Sequence, residues 1–140
     1  MIVIGQTGGK TGVQKEANAG SIADAYWWTE GKPGDKAEFL FEPTGSKVDP
    51  EGKFIVPQFE LRANFAKTPD GARVQIYIDG TKAGVPINLY ALKPSATGEM
   101  SLGRVDAGGH RLLIEFIYAD EKAQKPLRCG LDYIKVEKLR

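Results

Sequence analysis

One cysteine, one histidine and a formal charge of only +1 are the scarcities that bound this 140-residue chain. Cys129, standing alone, excludes an intrachain disulfide and every cysteine-cluster zinc site. Nineteen basic residues against eighteen acidic ones leave no field to draw in nucleic acid or an anionic membrane, so uncharged partners are expected. Long apolar runs are missing as well: none approaches the roughly 20 residues of a membrane-spanning helix. Met1-Ile-Val-Ile-Gly5 is too short and too uncharged for a signal peptide. The expectation is either a cytoplasmic chain or a module of a longer secreted or periplasmic protein. Repeats, linkers and low-complexity tracts are absent, and the length fits one domain, 1–140, with a core of its own.

What the chain has is punctuation. Its 17 glycines and 8 prolines break up short β-branched and aromatic runs about every ten residues, the spacing of an all-β sandwich. In Phe59-Glu-Leu-Arg-Ala-Asn-Phe65 the apolar residues alternate with Glu60, Arg62 and Asn64, so one face is expected buried and one wet. Pro57 marks the strand start, an edge or a bulge, because proline cannot donate to a ladder. Thr68-Pro-Asp-Gly71 reads as a turn in which Pro69 sets φ and Gly71 supplies a positive φ. It delivers the chain into Ala72 to Ile78, with Asp79-Gly80 as a hairpin turn and Val85 to Tyr90 as the returning strand. Ala37 to Phe41, Glu99 to Leu102, His110 to Tyr118 and Gly130 to Val136 are further strands. Ile2 to Ile4, Val13 to Lys15 and Tyr26 to Trp28 are weaker ones, which makes about eight to ten strands. Asn18 to Asp24 is the one place for a short helical turn.

Gly5-Gln-Thr-Gly-Gly-Lys-Thr11 looks like a phosphate-binding loop but leaves three residues, not the required four, before Gly-Lys-Thr, and no apolar helical stripe follows. A glycine-rich turn between edge strands fits it better. His110 opens a strand behind Ala107-Gly-Gly109, a position explained by a hydrogen bond to the loop. A pairing with Cys129 or with a serine and an aspartate would make it catalytic, yet no nucleophile elbow supports one. Asp49-Pro-Glu-Gly52 lacks the dense oxygen ligands of a calcium loop and reads as a solvated turn. Adjacent strand residues face opposite ways, so of Trp27 and Trp28 only one can enter a given core. The other covers a sheet face, a loop or a ligand. Exposed aromatic rings stack on the C–H faces of sugars as they do on aliphatic surfaces.

Taken in order, Trp27 to Asp35, Val74 to Gly80, Asn88 to Tyr90, Leu102 to His110 and Gly130 to Ile134 resemble a galactose-binding-like β-sandwich of carbohydrate-binding-module type. Similar modules accompany bacterial glycoside hydrolases, including the fructofuranosidase and arabinofuranosidase group. The resemblance runs from about Gly8 to Val136. It implies an antiparallel jelly roll, a polysaccharide or oligosaccharide partner, and attachment to a catalytic domain in a larger exported protein. It implies no cofactor beyond a structural calcium, held between an acidic first strand and an aspartate near the last. Asp132 matches the second ligand, whereas Met1 to Gln6 holds no acid to match the first.

The reading is a non-catalytic carbohydrate-binding module with Trp27 or Trp28 as platform. Tyr90, Arg62, Asn64, Asp132 and Tyr133 are the expected hydrogen-bonding partners, Arg62 and Asn64 because they lie on the wet face of the clearest strand. The alternative is a structural or oligomerisation domain whose exposed aromatics meet another protein surface.

Overall fold

The computed structural model describes the backbone of residues 2–7, 10–13, 26–45, 47–118, 122–125 and 127–139, and the side chains within these ranges from Lys32 onward. The strands are β1 (Ile2–Thr7), β2 (Lys10–Val13), β3 (Tyr26–Gly31), β4 (Lys36–Phe41), β5 (Gln58–Lys67) and β6 (Arg73–Ile78). They continue as β7 (Thr81–Lys82), β8 (Ile87–Asn88), β9 (Ser95–Ala96), β10 (Met100–Asp106), β11 (His110–Tyr118) and β12 (Leu127–Lys138). Two antiparallel sheets result. Sheet I runs β1-β4-β11-β6-β7 with β8 also on β6, and sheet II runs β10-β5-β12-β3-β2 with β9 also on β5.

Period-2 alternation decides which residues meet between the sheets. Sheet I contributes Phe39, Val74, Ile76, Leu112, Ile114 and Phe116, and sheet II contributes Phe59, Leu61, Phe65, Leu127, Cys129 and Leu131, to one buried cluster. Leu61, Val74 and Ile76 are fully enclosed. The architecture is the expected all-β antiparallel sandwich, and no α-helix occurs among the described residues. The segment 18–24, where a helical turn was expected, lies outside them.

Several local expectations need correction. Gly71 closes the turn after β5, its amide donating to the Thr68 carbonyl oxygen at 3.0 Å, but it is not among the residues of positive φ. Space requires it instead: a Cβ there would lie 1.8 Å from the Leu89 carbonyl oxygen. The strand expected over Val85 to Tyr90 breaks up, because Asp79 and Gly80, with φ of 52° and 82°, turn the chain straight into β7, and only Ile87 and Asn88 pair again with β6. Pro86, which cannot donate, separates the two pieces. Pro57 does precede β5, and its carbonyl accepts from the Ala107 amide at 3.1 Å. The glycine-rich start passes from β1, an edge of sheet I, to β2, an edge of sheet II; a strand stands where a phosphate-binding loop would need a helix.

Candidate functional site

β12 runs beside β5, and its register shifts between Leu131, which faces Phe65, and Tyr133, which faces Asn64. Asp132 is the extra residue of this bulge. A bulge places two consecutive side chains where alternation allows one, and so re-aims them. Asp132 and Tyr133 are thereby both brought to the outer face of sheet II, next to Asn64. The Asn64 Nδ2 donates to Asp132 Oδ2 at 3.0 Å. Thr97, just beyond β9, joins them, its hydroxyl 3.5 Å from Asn64 Oδ1 and accepting from the Phe65 amide at 3.1 Å.

One row along, Arg62 is surrounded by acids. Its guanidinium lies 3.1 Å from Glu60, 3.3 Å from Glu137 and 3.8 Å from Glu99. Glu99 also accepts from the Tyr133 hydroxyl at 2.6 Å. That bond, with some burial and the nearby carboxylates, holds the Tyr133 phenol above its ordinary pKa, so it stays a neutral donor. The Ser101 hydroxyl and then Arg62 hold Glu60 below the usual carboxylate range, against partial burial. Four of the residues expected to bind, Arg62, Asn64, Asp132 and Tyr133, therefore meet on one surface. Tyr133 is its exposed ring, 37% accessible, whereas Asn64, expected wet, is 9% accessible. Sequence reasoning missed Thr97 and Glu99. They reach the cluster from 33 and 34 positions away, and no local pattern announces such a pairing.

Tyr90 is placed elsewhere. Its backbone bridges Thr68 in the turn after β5, and its amide donates to Asn88 Oδ1 at 3.1 Å. The side chains of Trp27 and Trp28 lie outside the described residues; in the ladder Trp27 is opposite Gly130 and Trp28 opposite the core residue Cys129. For calcium, Asp132 supplies one carboxylate, already accepting from Asn64. No group of three or more His, Cys, Asp or Glu able to hold a metal ion gathers among the described residues.

The lone histidine is arranged for structure. His110 Nδ1 is 2.6 Å from Asp79 Oδ2, and Nε2 is 2.7 Å from the Asp106 carbonyl oxygen. Both partners accept, so the arrangement favours the protonated ring, in which both nitrogens donate. Burial alone would lower the His110 pKa; the Asp79 and Asp106 bonds outweigh it and raise it. Cys129 is buried, and burial pushes its thiol up to about 12, the opposite of an activated nucleophile. The partners of His110 are Asp79 and Asp106, not the buried Cys129.

No known protein family matches this sequence, and no curated protein matches it. Solved structures do. A Paenibacillus xanthan lyase overlays with a TM-score of 0.72 at 15% identity, covering 96% of this chain and 12% of the lyase. A Podospora anserina GH26-CBM35 β-(1,4)-mannanase gives 0.53 at 15% identity over 99% of this chain and 26% of its own. A family 35 carbohydrate-binding module from an environmental isolate gives 0.52 at 8% identity over 96% of this chain and 85% of the module. This chain thus spans only a small part of the two large enzymes. At these identities the likeness is one of fold: a β-sandwich of carbohydrate-binding-module type.

Proposed function

We propose that this chain is a non-catalytic carbohydrate-binding module whose glycan lies on the outer face of sheet II. The observation that carries the reading is the bulge in β12, which presents Tyr133 as an exposed ring beside Asn64 and Asp132 and above the Arg62 network. An aromatic face offers contact area to the C–H side of a sugar ring, and the surrounding amide, carboxylates and guanidinium match its hydroxyls. Asn64, Tyr133 and Glu60 are each held by a neighbour, so part of the ordering is done before binding, while the buried Arg62 Nε has no hydrogen-bond partner. By backbone register Trp27 stands opposite Gly130, which is itself opposite Ala66, and we include it in the proposed site on that placement. A shallow site of this kind binds weakly and gains from a tether to a catalytic domain acting on the same polysaccharide outside the cell.

Affinity electrophoresis against a panel of soluble polysaccharides tests it, with Tyr133→Ala and Trp27→Ala as variants checked for folding by circular dichroism. Retardation by one glycan class that weakens in either variant is the expected result. Retardation by none removes the reading.

One observation favours a second reading, an assembly domain. Between β4 and β5, Val48 bridges Phe54 and Asp49 Oδ1 accepts from the amides of Glu51 and Lys53 at 2.9 and 2.8 Å. This small hairpin leaves Val48, Phe54 and Val56 exposed by 50%, 75% and 52%. Sedimentation that depends on concentration, abolished by Phe54→Ser, would support it.

A further inference from the structure

The outer face of sheet I carries a groove of about 600 Å³, within the range of small-molecule sites. Its floor is one cross-strand row, Glu38 on β4, Leu113 on β11 and Tyr77 on β6, aligned by direct register. Leu113 puts an aliphatic patch at the centre of an otherwise polar face, with the Tyr77 ring beside it. On one side Arg111 lies 3.4 Å from Glu38, and on the other Lys36 lies 4.0 Å from Glu115. The Tyr77 hydroxyl donates to Glu115 at 3.1 Å. Burial, then this bond, raises the Tyr77 pKa, which keeps the phenol protonated.

Two cations and two carboxylates balance. The third acid at the groove, Asp79, is engaged by His110 and by the Arg111 amide at 2.9 Å. Exposed ion pairs at 3.4 and 4.0 Å contribute little to stability, so their charged ends can turn to a ligand's hydroxyls at small cost. An apolar strip flanked by paired donors and acceptors fits a polyol with a C–H face, and a lining of three carboxylates against two cations gives no preference to an anionic one.

We infer that this groove is a second glycan site, on the face opposite the Tyr133 cluster, and that it selects uncharged oligosaccharides over uronic-acid ones. It rests on the reading of the chain as a glycan binder. One domain would then grip two chains, or two stretches of one chain, back to back.

The test is an NMR titration of the isotope-labelled chain with xylohexaose, mannohexaose, maltohexaose and hexagalacturonate. Expected are shifts at Glu38, Tyr77, Leu113 and Glu115 with a neutral hexasaccharide and none with hexagalacturonate. Tyr77→Ala should weaken that response roughly three- to tenfold while shifts around Tyr133 persist. The double variant Glu38→Gln/Glu115→Gln, which keeps Lys36 and Arg111, should gain binding of hexagalacturonate in the groove. Shifts confined to the Tyr133 face overturn the groove and leave the proposed function standing. Groove shifts with hexagalacturonate on the unaltered chain overturn the selectivity. No shift with any of the four sugars overturns the groove site, and retardation by none of the polysaccharide panel would remove the parent reading as well.

Discussion

On the outer face of sheet II the Arg62 side chain is 33% exposed and meets three carboxylates; on the outer face of sheet I Arg111 is 66% exposed and meets one. The residue types are alike and the sheets share one core. The difference lies in strand geometry. The bulge in β12 crowds Asp132 and Tyr133 toward Asn64, and the chain after β9 folds over to add Thr97 and Glu99. Sheet I pairs β4 with β11 in unbroken register, so its side chains stand in separate rows and only neighbours touch. The Arg62 network ties several strands together and is costly to breach, although its buried Nε has no hydrogen-bond partner, whereas more exposed surface pairs are cheaper to rearrange. The contrast suits one face to presenting a fixed surface and the other to adapting around a ligand.

Breaking the network should cost most. Asp132→Ala removes the acceptor of the nearly buried Asn64 amide and should lower stability by about 1–3 kcal/mol, read by urea denaturation. A loss below a few tenths would mean that sheet II is no more tightly organised than sheet I. Arg62→Met is expected to cost less, about 1 kcal/mol, because its partners are partly solvated, with the loss shrinking as salt screens Glu60, Glu99 and Glu137 from one another. His110 joins the ends of the two sheets, since it begins β11 and holds the Asp106 carbonyl at the end of β10. Its folded pKa is raised, so its contribution is complete below the unfolded value, ~6.5, and fades as pH rises through the folded value. Asp79 is lowered, the Arg111 amide and His110 outweighing its burial; its contribution is present above the unfolded carboxylate value and fades as pH falls through the folded one. Thermal melting of His110→Gln should lack the alkaline decline that the unaltered chain shows. Smallest of all, Arg111→Met on sheet I should change stability by no more than about 0.5 kcal/mol, and a larger loss would erase the contrast.

Much of this was legible in the sequence because period-2 alternation is a local signal. Phe59 to Phe65 declared its buried face outright, and Arg62 followed. Asn64 did not, since Thr97 and Asp132 enclose it from distant segments. The convergence of Arg62, Asn64, Asp132 and Tyr133 depends on a one-residue slip in β12 that no composition records; Asp132 was a candidate sugar or calcium contact, but the bulge that aims it was not legible. Gly71 was recognised as a turn glycine for the wrong reason, because the approach of Leu89 is tertiary. The sheet I groove was invisible: Glu38, Tyr77 and Leu113 come from three strands, and each alone is an unremarkable alternation residue.

Cys129 has one more consequence. Its sulfur is sealed in the middle of the sandwich and held as a thiol by burial, so an oxidising medium finds nothing to crosslink between molecules. A thiol-reactive dye is expected to reach it only through an opening of the structure. Each molecule therefore carries a built-in reporter whose labelling rate follows how often the core is open.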